Sequence, residues 1–300
     1  AAFSQSIVYD TCEAAQNQGS MFDDLAAEGK INVFYQVPLQ EFIGQGILDI
    51  GKAVNGPGAL NARRLSAENL SYKYETDARA TILYDVDTKG YDSVWSNDIK
   101  EIRVGKLAND SIEEDLRERY NYYDVNWLSN EDAEPWAKAV TKAFVEKYNQ
   151  KVDENGLEGL HVGLLKKGAG NLRLEGNNTY KGVSVAIEGT LTINGSVAGD
   201  AYSDEYGTIA GKGTINGKLY NNNIAIAGDE GLGNLTMGAL ESKGTLTAVV
   251  NNEGNTKFIV KGAANVDGST IKVQGLVPGE SYTVLSANSI NGKLSNNKEN

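Results

Sequence analysis

One cysteine, one histidine and four prolines in 300 residues leave several chemistries without material. Cys12 alone can close no internal disulfide and no multi-cysteine metal site; its ordinary role is that of a small buried hydrophobe. With His161 as the sole imidazole, a histidine-rich metal cluster is excluded. Arg173 is the one arginine after Arg119. A polysaccharide lyase, which needs Asp clusters with Arg or Lys in a groove, therefore finds little support. No basic stripe with interleaved aromatics occurs. The net charge of −12, with a pI of about 4.7, repels phosphate backbones, so no nucleic-acid partner is expected. No run approaches the roughly 18 uninterrupted apolar residues of a membrane-spanning helix. The start, Ala1-Ala2-Phe3-Ser4-Gln5, has neither the basic opening nor the apolar run of a signal peptide, and no initiator methionine. Both ends are expected to be cuts in a longer protein.

What is present is unevenly spread. Of 34 glycines, 23 fall at or after Gly163, whereas Trp95, Trp127 and Trp136 all precede it. Pro38, Pro57 and Pro135 precede it too, leaving Pro278 alone afterwards. Such a shift places a boundary near residues 156–163. Residues 1–65 read as the end of an α/β domain. A short helix closes at Gly29, Ile31 to Tyr35 alternate as a strand, and a tight glycine turn leads into a helix stopped by Gly56-Pro57. Residues 66–160 read as connecting strands with a helical insertion. Ala80 to Tyr84 and Glu101 to Val104 alternate apolar and polar, and Asp87-Thr88-Lys89-Gly90 is a turn. Ser111-Ile112-Glu113-Glu114 is a capping box that opens one helix. Trp136, Val140, Phe144, Tyr148 and Val152 form the packing stripe of a second, from about Ala133 to Val152.

Residues 161–300 are repetitive. Gly189-Thr190-Leu191-Thr192-Ile193-Asn194-Gly195 returns loosely at Gly207 to Gly211, Gly213 to Gly217, Gly233 to Gly238 and Gly244 to Ala248. Each copy is a short strand with alternate apolar residues between Gly and Asn turns. The copies recur at irregular intervals, several near 20 residues. One such strand cannot bury its inner face alone, so the units must stack. The predicted fold is mainly β: a right-handed parallel β-helix stalk of about six coils, preceded by the α/β end and the helical insertion. A sandwich of antiparallel strands is the competing architecture.

Two segments carry a family resemblance. The first has Gly44, Gly46, Asp49, Lys52, Ala53, Gly56 and Pro57 in the spacing G-x-G-x-x-D-x-x-K-A-x-x-G-P. It resembles the closing helix of the subtilisin-like catalytic domain in autotransported serine proteases. The second runs from Lys166 to Gly182 as K-x-G-x-G-x-L-x-L-x-G-x-N-T-Y-x-G and resembles the passenger β-helix repeat of that family. Trp95-Ser96-Asn97-Asp98-Ile99 is similar to the F-S-N-D-I segment that precedes the repeat, and the stretch from Leu276 to Leu294 looks like a late passenger rung. Beside the resemblance stands a plain reading: Leu172 and Leu174 point inward, between turns at Lys167 to Gly170 and at Gly176-Asn177.

The chain carries no Asp, His and Ser in triad order. The G-T-S-x-x-x-P context of a subtilisin-like nucleophile is absent, and Gly19-Ser20-Met21 lacks both the Thr and the later Pro. His161 is expected to be a packing or surface histidine. Asp85-Val86-Asp87 hints at a calcium loop but lacks a third spaced ligand and a closing Glu, so a plain turn is expected. Gly211-Lys212-Gly213 and Gly228 to Gly233 are not phosphate loops. Glu113 and Glu114 suit a helix N-terminus rather than acid–base work. No catalytic, cofactor-binding or metal residue is assigned. The resemblance implies a secreted or surface serine endopeptidase as parent, with calcium possible in its protease domain and protein substrates. It also implies a protease domain upstream and an outer-membrane β-barrel downstream. This chain would be the non-catalytic segment that completes the protease and forms the stalk. The alternative is a β-helical adhesin without protease activity.

Overall fold

The computed structural model describes residues 54–62, 65, 67–76, 79–103, 105, 149–150, 153, 158–252 and 254–296. The elements expected before residue 54, the capping box, Cys12 and Gly19-Ser20-Met21 lie outside them. Of the second helix, Asn149 and Gln150 are described and are helical, as is Asp153. The chain divides into two units, Ala1–Val54 with Arg103–Gly159, and Asn55–Ile102 with Leu160–Asn300.

The second unit is mainly β. Its strands are β1 (Ala59–Asn61), β2 (Leu70–Thr76), β3 (Arg79–Asp87), β4 (Ser93–Trp95), β5 (Lys100–Ile102), β6 (Val162–Lys167), β7 (Asn171–Leu174), β8 (Asn177–Asn178), β9 (Ser184–Ile193) and β10 (Ser196–Val197). They continue as β11 (Ala201–Gly211), β12 (Thr214–Asn221), β13 (Ile224–Ala227), β14 (Leu235–Ser242), β15 (Thr245–Asn251), β16 (Gly254–Asn255), β17 (Phe258–Asn265), β18 (Thr270–Gln274) and β19 (Leu285–Asn291). Almost every pairing is parallel. Among named strands, antiparallel pairing is confined to β2 with β3 and β15 with β16, so an antiparallel sandwich does not describe this unit.

The register shows how the sequence is folded back on itself. Tyr84 pairs with Leu164, and further steps lead through Ser184, Ala201, Leu219, Leu240 and Ala264 to Ile290. Leu164, Ser184, Ala201, Leu219, Leu240 and Ala264 are buried, and Ile290 at the end of the column is 53% exposed. A second column runs Leu172, Leu191, Ile209, Ala225, Leu246, all buried. A third runs Val197, Ile215, Met237, Val260, again buried. Alternate residues along these columns thus feed a largely apolar interior, and strands within the stack find backbone partners on both sides. Such stacking is consistent with a β-helix.

The five repeat copies fall on two of these columns. Gly189-Thr190-Leu191 lies beside Gly207-Thr208-Ile209, and Thr245-Leu246 belongs to the same column through Ile224-Ala225. Thr214-Ile215 lies beside Thr236-Met237 in the other. The spacing of copies therefore alternates between a step to the next coil and a step to the next face of one coil, which is why it is irregular.

Candidate functional site

The best-defined constellation lies where the stacking begins. The strands before Ile102 and after Leu160 keep register across the intervening residues: Ile82 pairs with Val162 and Ser93 with Leu172. Each fixed position of the repeat from Lys166 to Gly182 has a physical task against this preceding coil. Gly168 takes φ 81°, a left-handed conformation that glycine alone adopts without strain. A Cβ at Gly176 would strike the Asn97 carbonyl, and one at Gly182 the Val162 carbonyl, so both must be bare for the coils to approach. Leu172 and Leu174 are fully buried, as expected. Asn178 Oδ1 accepts the Ile99 N–H at 3.2 Å, while its amide donates to Gly176 O at 3.1 Å and Ser196 O at 2.9 Å. Thr179 N–H donates to Ile99 O at 2.8 Å. Buried Tyr180 shares a 2.6 Å hydrogen bond with Ser184, and burial pushes its phenol pKa up.

Lys166 is the least expected member. Its side chain is buried, and Nζ donates to the carbonyls of Lys167 at 3.2 Å, Gly168, and Glu188 at 2.9 Å. These bonds satisfy the ammonium without a direct carboxylate. Desolvation pulls its pKa below 10.5, opposed by Glu188, Asp87 and Asp92. Gly189 completes the nest: a Cβ there would meet Lys166 Nζ at 2.7 Å and the Gly170 carbonyl at 2.6 Å.

Trp95 to Ile99 joins this repeat to the end of the first motif. Ser96 and Asn97 N–H groups donate to Asn55 O at 2.9 and 3.1 Å, and Asn97 Nδ2 to Gly56 O at 2.6 Å. Gly56, at φ 92°, leaves room for Trp95: a Cβ would lie 2.5 Å from its ring. On the other side Asp98 Oδ1 accepts from Asn177 N–H at 2.6 Å. So Gly56-Pro57, Trp95 to Ile99 and Asn177 to Tyr180 form one continuous hydrogen-bonded joint.

His161 sits at the same level. Its Nδ1 is 2.9 Å from Glu101 Oε1, and Glu101 Oε2 accepts the Val162 N–H at 3.1 Å. Both side chains are largely buried. Glu101 thereby holds together the two ends of the chain flanking residues 103–159. Sequence reasoning missed Glu101, whose placement among alternating residues of β5 suggested only a strand. Asp85 pairs with Lys167 of the neighbouring β6 at 2.5 Å, and Asp87 Oδ1 accepts the Lys89 N–H within the turn at 2.8 Å, so each has an oxygen engaged. The loop from Gly228 to Gly233 brings Asp229 to Arg173 at 3.1 Å and to Asn194 Nδ2 at 3.0 Å. Among the described residues no group of three or more His, Cys, Asp or Glu is gathered to hold a metal.

The chain is similar in part to known proteins. It is 32% identical over 153 residues, 45% of its length, to an extracellular serine protease of Serratia marcescens. A second extracellular serine protease of Serratia marcescens is 49% identical over 55 residues, 18% of the chain. The matched segments span 15% and 5% of those proteins' own lengths. No family model matches the chain. The likeness is to these stretches of two extracellular serine proteases and extends no further.

Proposed function

We propose that this chain is a non-catalytic segment of a secreted, subtilisin-like autotransporter serine endopeptidase. Residues 1–65 complete the protease domain, and the coils form a right-handed parallel β-helix that displays it as a stalk. Right-handedness follows from the general preference of parallel crossovers. The protease lies upstream, an outer-membrane β-barrel follows downstream, and the parent is secreted or held at the bacterial surface. The observation that carries this reading is the joint: the Gly56-Pro57 terminus of the closing motif is hydrogen-bonded to the segment on which the first repeat stacks. Partial similarity to two extracellular serine proteases gives it independent support.

The division of labour is physical. A protease domain needs its last element packed to be stable, and a stack of coils offers a rigid seat at a defined distance from the membrane. Coils that fold one onto another outside the cell also favour outward movement of the chain. The catalytic Ser, His and Asp are supplied by the parent. The test is casein cleavage by the purified chain beside the full-length parent. The chain alone is expected to be inert and the parent active; cleavage by the chain alone would end this reading. An adhesin without protease remains the second reading, and a G-T-S-x-x-x-P motif within about 100 residues upstream, the scale of one domain, decides against it.

A further inference from the structure

Two irregular strand segments converge on one carboxylate. The β2–β3 register shifts between Ser71 and Thr76, and the β9–β11 register shifts between Ser203 and Tyr206. Bulges bend a strand, re-aim its side chains and recur beside functional sites. Here the first carries Tyr72, Lys73 and Tyr74, and the second carries Asp204. Tyr74 OH donates to Asp204 Oδ2 at 2.6 Å, across 130 positions, and Lys73 Nζ pairs with the same oxygen at 2.5 Å.

The tyrosines extend from this point along the outer face. Tyr74 is buried over Leu83, Val183 and Val185, and its ring meets Tyr202 edge-on with centroids 5.0 Å apart. Tyr202 stacks on Tyr220, one coil on, at 4.4 Å and 8°. Lys218 Nζ lies 5.0 Å from the Tyr220 centroid, and Asp200 Oδ1 accepts the Lys218 N–H at 2.7 Å. Beside the fixed rings, Tyr72 is 72% and Tyr206 83% exposed. One exposed tyrosine needs no explanation. Two of them, each within two residues of the Tyr74–Asp204 contact, next to a rigid aromatic stack, do.

The chemistry of this ledge points to a class of ligand. Phenol faces match the C–H faces of pyranose rings. Carboxylates accept from sugar hydroxyls, and ammonium and phenol groups donate to them. Asp200 and Asp204 balance Lys73 and Lys218, and the whole chain is acidic, which disfavours a polyanion. The surface runs from coil to coil, which suits a chain rather than a small molecule. We propose that this tyrosine ledge binds a neutral polysaccharide, with Tyr72 and Tyr206 as stacking faces and the Tyr74–Asp204–Lys73 contact fixing the strand that carries Tyr72. This goes beyond the protease reading and stands without it.

The test is calorimetric titration of the 300-residue chain with laminarin, mannan and dextran, with heparin as the anionic comparator and denatured casein as the peptide comparator. At least one neutral glycan is expected to bind. Tyr72→Ala with Tyr206→Ala is expected to weaken it about tenfold. Both rings are exposed, so the thermal midpoint is expected to stay put, and each single variant is measured as well. Three results would overturn the proposal: no neutral glycan binds, the double variant binds like the parent chain, or heparin or casein binds more tightly than every neutral glycan. Casein cleavage by the full-length parent is measured separately, so failure of one idea leaves the other standing.

Discussion

Asn178 Oδ1 accepts the backbone N–H of Ile99 at 3.2 Å, away from water and across 79 positions of sequence. The same amide donates to Gly176 and Ser196, so one side chain links three successive coils. Asn178→Ala is expected to leave the buried Ile99 N–H without its acceptor and to take a donor from the Ser196 carbonyl, while the Gly176 carbonyl keeps the Ser196 N–H at 3.0 Å. The loss is about 1–3 kcal/mol, read as a lower urea midpoint at unchanged slope. Asn178→Leu, similar in volume but apolar, should do no better, since the partners stay unsatisfied.

Glycines in the next coils repeat one steric condition. A Cβ at Gly195 would strike the Gly176 carbonyl, and one at Gly213 the Gly195 carbonyl. Gly195→Ala is expected to cost about 3 kcal/mol in thermal unfolding, because backbone rather than a flexible side chain must move. Gly105→Ala, with no described residue within 4 Å of the new methyl, serves as the neutral control.

Much of this could be read from the sequence, and the reasons for the remainder are specific. Alternation placed Leu172, Leu174, Leu191 and Ile209 inside, and the structure buries all four. The turn at Asp87 to Gly90 and the strand around Ala80 to Tyr84 were equally plain, because Gly90 suits the positive φ it takes just after the strand ends; the positive φ of Lys89 was not legible. Two features were hidden. Similar Gly-Thr-Leu and Gly-Thr-Ile strings occupy two faces, since each face presents the same pleated, half-buried environment and selects the same residues. Lys166 reads as a surface residue beside Lys167; its burial depends on carbonyls of Gly168 and Glu188 that only the coil-to-coil turn brings together. For the joint, the motifs indicated which segments matter, but not that Gly56 and Asn97 bond directly.

Lys166 also gives a pH prediction with a definite sign. Its folded pKa is lowered from 10.5 by burial, so between that lowered value and 10.5 the unfolded state binds more protons. Stability from this group therefore rises with pH through that window, and the full penalty is present below it. Lys166→Met removes the slope. The stability gap between the parent chain and the variant, measured by urea unfolding at neutral and alkaline pH, is expected to shift in favour of the parent chain as pH rises. A gap independent of pH would contradict the assignment.

Arg173 restrains the loop from Gly228 to Gly233 through Asp229 and, more exposed, Glu230 at 3.3 Å. Because the guanidinium is partly open to solvent, Arg173→Ala is expected to cost less than about 1 kcal/mol globally. The local effect should be larger: the variant is nicked faster beside exposed Leu232, and its lead over the unsubstituted chain narrows at high salt, where that chain's ion pair is screened.

Glu101 grips His161 and the amide after it, while Ile82 and Val162 pair as if nothing lay between them. The length and content of residues 103–159 are thus uncoupled from the geometry on either side. Evolution, or an engineer, is free to change the sequence between these two ends, and the coils beyond it would keep their alignment.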